Sequence, residues 1–179
     1  MPEALWFTED EAANRLIADD PFALLVGFAL DQQVTVQQAF LGPLRLKERL
    51  GSLEPKAVAN ADLEPLFREK PAIHRFPGTM ATRVQNLAQF IADRYDGKAE
   101  RVWTDAADAD DLGKRIGELP GFGEMKIKAL GSVLAKRFGV AVAKGLAPNH
   151  PTLGDVDSAE ALQSYQAAKR AYKASRNAG

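Results

Sequence analysis

The strongest constraint on this chain is the period of its apolar residues. They return every three or four positions over nearly the whole length, and no alternating run bounded by turn residues breaks the pattern. A chain with that period buries its apolar face as helices, so an all-α fold is expected. Thr8-Glu-Asp-Glu11 has the spacing of a capping box that opens a first helix to about Asp19. Asp20-Pro21 opens a second, and its run of Phe22, Leu24, Leu25, Phe28 and Leu30 marks it as a core element. Thr35, three residues before Gln38, opens a third helix to about Leu50, stopped by Gly51 and expected to bend or break at Gly42-Pro43. Short helices are expected around 55–60 and 62–69. The stretch from Thr79 to Tyr95 puts Met80, Val84, Leu87 and Ile91 on one stripe and ends at Gly97.

Beyond it, a short helix from about Asp108 to Gly117 leads into Leu119-Pro-Gly-Phe-Gly123, and a new stripe follows: Ile127, Leu130, Leu134 and Phe138, closed by Gly139. Two helices joined by a Pro and Gly hairpin are therefore expected at about 108–138. A loop over 140–154 precedes Asp157-Ser-Ala-Glu160, the start signal of a last helix. That helix carries Leu162, Tyr165 and Tyr172 on one side and Lys169, Arg170, Lys173 and Arg176 around the rest.

Composition removes several function classes. The 179 residues include no cysteine, which excludes disulfides, thiolate metal sites and cysteine nucleophiles, and two histidines are too few for a histidine-rich metal site. Acidic residues stand near the N-terminus where a signal peptide would be basic, and no apolar run is long enough to span a membrane, so a cytoplasmic protein is expected. The net charge of −1 argues at first against a phosphate-rich partner. It conceals an asymmetry: residues 1–112 carry 12 Lys+Arg against 19 Asp+Glu, whereas residues 113–179 carry 11 against 5. The C-terminal third is basic, which suits either a nucleic-acid contact or plain solvation of exposed helices.

The hairpin is the most specific motif. Its glycines permit a tight turn and close approach to another molecule, and free amides at the positive end of the following helix suit a phosphate oxygen. Lys126 and Lys128 would add charge. The same pentapeptide also serves as an ordinary connection between helices.

Together with two further segments, this hairpin resembles the helix-hairpin-helix DNA glycosylases, the HhH-GPD superfamily of base-excision repair enzymes. Asp20-Pro-Phe-Ala-Leu-Leu-Val26, leading to Leu30-Asp-Gln-Gln-Val-Thr35, is similar to the family's early helix and the turn that carries its glutamine. Arg83-Val-Gln-Asn-Leu87, running to Tyr95-Asp-Gly97, is similar to the helix and glycine stop that precede the family's hairpin. The order and spacing of the three agree from about residue 15 to residue 138. The chain is shorter than typical members and lacks the C-terminal cysteine cluster that some carry.

The resemblance implies two helical lobes with the active site between them: residues 1–24 together with 131–179 in one, and 25–130 in the other. It implies a monomeric partner of double-stranded DNA containing a damaged or mismatched base, acting in the cytoplasm at the nucleoid without a cofactor or metal. Leu119, Gly121, Phe122, Gly123, Lys126 and Lys128 would hold the strand. Gln33 would fill the gap left by a flipped base. Departure of the base leaves positive charge on the sugar, and a fixed carboxylate offsets it. Here the sequence departs from the family, whose catalytic aspartate falls at Gly145, and no acid lies between Glu124 and Asp155. The candidates are Asp155 and Asp157, displaced by an insertion containing Ala147-Pro-Asn-His-Pro151, with Asp157 also suited to capping the last helix and Asp155 to facing the cleft from the loop. The lysine that lets some members nick the strand is replaced by Met125, and Lys126, one residue on, is turned by about 100 degrees around the helix. A monofunctional glycosylase is expected. The alternatives are a non-catalytic DNA-binding protein on the same scaffold and a helical module for an acidic protein partner. Trp6, Phe7, Phe76, Trp103 and Tyr165 are candidates for either a base pocket or the core.

Overall fold

The computed structural model describes residues 2–178, and among them regular structure is entirely helical. Helix α1 (Glu11–Asp19) starts two residues later than a Thr8 cap would give. Asp10 is the cap and accepts from the Ala13 N–H at 2.9 Å. Thr8 is buried instead, and its hydroxyl and main-chain N–H both donate to the Asn14 side chain. A carboxylate next to the helix start competes well for that role, and Thr8 is left to hold the N-terminal segment down. Asp20 caps α2 (Pro21–Leu30) through the Phe22 and Ala23 N–H groups, with Pro21 in the first turn. Every residue of α2 after Pro21 is buried.

Helix α3 (Val36–Leu50) is capped by Thr35 and runs through Pro43 without a break. A proline costs a helix one main-chain bond, and here burial outweighs that loss. Phe40 on α3 meets Phe28 and Phe7 edge-on, with centroids 5.1 and 4.9 Å apart, and Gly42 and Pro43 are themselves buried. Short helices α4 (Pro55–Ala59) and α5 (Glu64–Arg68) lie against α6 (Pro77–Tyr95). The long helix α6 begins two residues before Thr79, because Pro77 is preset for a first turn. Helix α7 (Arg101–Thr104) leads to α8 (Ala109–Gly117), which Asp108 caps, and then to α9 (Glu124–Lys136).

The segment expected as a loop over 140–154 holds two 3-10 turns, Ala141–Leu146 and Leu153–Asp155, both packed on α9. At Gly154 a Cβ would lie 2.2 Å from the Ser132 hydroxyl and 2.7 Å from that residue's main chain, so only glycine lets the second turn sit this close. The neighbouring Thr152 and Ser132 hydroxyls are hydrogen-bonded to each other. Helix α10 (Ala159–Ala178) follows. Helix α1 packs mainly on α2 and α3, whereas α8, α9 and the 3-10 turns form a second group. No helix among the described residues is long and apolar enough to cross a membrane.

Candidate nucleic-acid interface

The turn from Glu118 to Gly123 joins α8 to α9. Leu119 and Phe122 are buried and anchor it, with the Phe122 N–H donating to the Leu119 carbonyl at 3.1 Å. Between them Gly121 takes a φ of +82°, a left-handed conformation that favours glycine. Gly123 stands at the cap position of α9, with no side chain closing the helix end and open space where a Cβ would be. The main-chain N–H groups of Gly121, Gly123, Glu124, Met125 and Lys126 have no acceptor among the described residues. Five donors and the positive end of a 13-residue helix thus converge on one exposed surface.

A second turn lies beside this one. Residues Asp31–Thr35 connect α2 to α3, and Gln33 there has a φ of +58° with its side chain exposed. A left-handed glutamine is uncommon and persists where its surroundings hold it. Two residues from α6 and the segment before it supply that hold. The buried His74 ring donates from Nε2 to the Leu30 and Gln32 carbonyls, at 3.1 and 3.0 Å, while Nδ1 accepts from the Phe76 N–H at 3.0 Å. An acceptor at Nδ1 requires the neutral ring. Burial holds its pKa below the usual imidazole value, and the charges of Arg83 and Arg75 act in the same direction against the pull of the two carbonyls. Arg83 bridges the two turns: its stem would lie 3.0 Å from a Cβ at Gly121, and its guanidinium donates to the Gln32 side-chain oxygen.

The lysines are arranged differently from expectation. Lys126 points inward, with Nζ 3.4 Å from the Ala29 carbonyl and over the Phe122 ring. Burial and the charge of Arg83 lower its pKa against the pull of Asp31. Lys128 is exposed and pairs with Glu124 at 3.8 Å. Met125 is 83% exposed. No protein-family model, curated protein or solved structure matches the chain.

The two candidate acids lie beyond α9. Asp155 belongs to the second 3-10 turn, where one oxygen takes the Lys136 ammonium at 2.6 Å and the other the Thr152 N–H at 2.8 Å. Burial works to raise its carboxyl, but these bonds and the charges of Lys136 and Arg137 outweigh it and leave the pKa below the ordinary value. Asp157 is exposed, and the cap it was expected to provide comes from Ser158, whose hydroxyl accepts from the Ala161 N–H at 3.0 Å. Serine stands one residue nearer the first turn, which gives it the cap geometry.

Of the aromatics, Phe7 and Trp103 are core, Trp6 and Phe76 are more than a third exposed, and Tyr165 is half-buried at the base of α10. Reciprocal amide bonds between Gln37 and Gln166, at 3.0 and 2.8 Å, tie that base to α3. No group of three or more His, Asp or Glu side chains among the described residues is arranged to hold a metal ion. A surface hollow of about 910 Å³ lies elsewhere, between α1 and the end of α3, and shares no residue with either turn. No local pattern marks Arg83 or His74 as a support of this surface. Each acts on a segment more than 40 positions away, 44 for His74 and Leu30 and 51 for Arg83 and Gln32, through contacts that no local spacing reveals.

Proposed function

We propose that the protein is a DNA glycosylase of base-excision repair. It takes a damaged or mismatched base out of double-stranded DNA, hydrolyses its N-glycosidic bond and leaves the strand intact. It works on the chromosome in the cytoplasm as a monomer and without a cofactor. The observation that carries this reading is the bridge made by Arg83: a turn with five N–H donors that find no acceptor among the described residues, suited to a phosphate, is joined to a turn that presents the exposed Gln33 amide. A strand gripped by the first would bring its neighbouring base pair to the second, where a long amide can replace lost pairing contacts.

One observation favours the alternative of a DNA-binding protein without catalysis. Both oxygens of Asp155 are already occupied, and Asp157 lies on the exposed surface. Duplexes carrying alkylated, deaminated, oxidised or mismatched bases separate the two. The glycosylase should give strand breaks only after added alkali and form no adduct trapped by borohydride, given Met125. Salt-dependent duplex binding without excision across the whole panel would establish the non-catalytic reading, and no salt-dependent binding at all would leave only a protein partner for the basic face.

A further inference from the structure

The last helix, α10, is held to the rest of the chain near its start. Leu162 is buried, Tyr165 is half-buried, and the Gln37 and Gln166 amides exchange hydrogen bonds at 3.0 and 2.8 Å. Every residue from 167 to 176 is exposed. That stretch carries Lys169, Arg170, Lys173 and Arg176 and no acid. Nine cations elsewhere in the chain, from Arg15 to Lys136, lie within 4 Å of a carboxylate, whereas none of these four does among the described residues. Two of them are placed over aromatic rings instead. Lys169 Nζ lies 5.8 Å from the Tyr165 centroid, and the Arg176 guanidinium 5.9 Å from that of Tyr172.

The four cations share one side of the helix. At about 100° per residue they fall within about 120° of its circumference, and Ala167, Ala168, Ala171, Ala174 and Ser175 make up the rest with Tyr172 at the border. Leu162, Tyr165 and Gln166, which attach the base, lie on the same side as the cations. The side that packs at the base therefore runs on beyond it as a row of exposed cations turned the same way. Gln37 stands in the first turn of α3, two residues past Thr35, so the row begins beside the turn that presents Gln33.

This chemistry separates the classes of partner. A helix that lies on a membrane needs a broad apolar side, and a protein interface centres on desolvated aromatic or aliphatic groups. Between 167 and 176 Tyr172 is the one large apolar group. Phosphates repeated along a strand match a row of cations, and neutralising them releases counterions. We propose that residues 167–176 of α10 lie along the phosphates of duplex DNA on one flank of the base that is removed. The inference rests on the glycosylase reading and adds to it a contact separate from the hairpin. From Lys169 to Arg176 the helix rises about 10 Å, the length of about three base pairs.

Two measurements test it on a duplex that carries one tetrahydrofuran in place of a nucleotide sugar. The chain has no cysteine, so Ala171→Cys, on the side away from the cations, takes a single iron chelate that cuts nearby DNA sugars. Glu54→Cys, exposed beyond the far end of α3, is the control. The chelate at position 171 should cut a few nucleotides on one flank of the tetrahydrofuran, and the control should cut none. In the second measurement Lys169→Gln, Arg170→Gln, Lys173→Gln and Arg176→Gln are combined. Affinity at low salt should fall about fivefold or more, and the logarithmic salt slope should flatten by about 0.9 for each phosphate no longer neutralised. The urea midpoint should stay at that of wild type, because all four side chains are exposed. If the combined variant fails to fold, the cutting pattern decides. Cutting from position 171 that is absent, or uniform along the duplex, would overturn the proposal, and so would an unchanged salt slope. Duplex binding would then still stand, and α10 would be left to an acidic protein or a second copy of the chain. If wild type does not bind the duplex in a salt-dependent way, the glycosylase reading fails and takes this inference with it.

Discussion

Helices α2 and α10 carry opposite solutions to the same problem. Helix α2 has ten residues and no charged one, and all but Pro21 are buried. Helix α10 is twice as long, yet through residue 176 only Leu162 is buried, and four cations follow its single acid, Glu160. The first is helical because the core encloses it. The second is attached at its base by Leu162, Tyr165 and the Gln37–Gln166 pair, and from 167 to 176 its residues are all exposed. A helix that buries so little relies on propensity and on whatever it meets outside. Stability therefore resides in the N-terminal helices and exposed positive charge in the C-terminal one.

The sharpest way to break that division is to truncate one aromatic in each region. Phe40→Ala empties the space between Phe7 and Phe28 and should cost about 3–5 kcal/mol. Tyr172→Ala, at a side chain 66% exposed, should change stability by less than about 0.5 kcal/mol. Urea unfolding of both measures the contrast, and similar losses would show that α10 belongs to the cooperative core.

The opposite contrast concerns DNA. Reversing Lys169, Arg170, Lys173 and Arg176 to glutamate should leave the helical signal in place and weaken duplex binding at low salt by tenfold or more. The logarithmic salt slope should flatten by about 0.9 for each phosphate that is no longer neutralised. Changing Lys126 and Lys128 to glutamate should weaken binding alike for all sequences but by less, because Lys128 is already shared with Glu124 and Lys126 is turned inward to the Ala29 carbonyl. A hairpin effect larger than the α10 effect would move the centre of binding to the turn.

Much of this arrangement is legible in the residues. The all-helical class, the stop at Gly51, the Asp20 and Thr35 caps and the hairpin between α8 and α9 follow from periodicity and turn chemistry. The departures are local competitions: Asp10 against Thr8, Ser158 against Asp157, and burial against Pro43. Candidate site residues are harder, because their state depends on distant partners. Nothing around Asp155 in the sequence announces Lys136, nineteen residues away.

Gln33→Ala tests a smaller effect. If its amide enters the gap left by a flipped base, excision from fully paired duplexes should fall several-fold, with less loss at mismatched or unpaired sites, where less unstacking energy is needed. Equal losses on both substrates would reduce Gln33 to a turn residue.

The smallest expected effect is also the one that joins the two regions, because His74 fixes the glutamine turn from within the core. Its pKa is lowered in the folded protein, so the neutral ring is the one that folding favours. The stability it contributes is complete above the unfolded value of about 6.5 and is lost as pH falls through the lower folded value. Protonation would set a second N–H against the Phe76 amide that Nδ1 now accepts. Wild type should therefore lose stability between pH 7.5 and pH 5, while His74→Asn, less stable at pH 7.5, should show a shallower loss over the same window. Urea midpoints at the two ends of the window give the difference directly, and the other titrating groups cancel because both proteins carry them. The same variant should bind duplex DNA more weakly, since the Leu30 and Gln32 carbonyls lose the donor that holds Gln33 in its left-handed conformation. A parallel pH dependence in the two proteins would mean that His74 contributes packing and no switch.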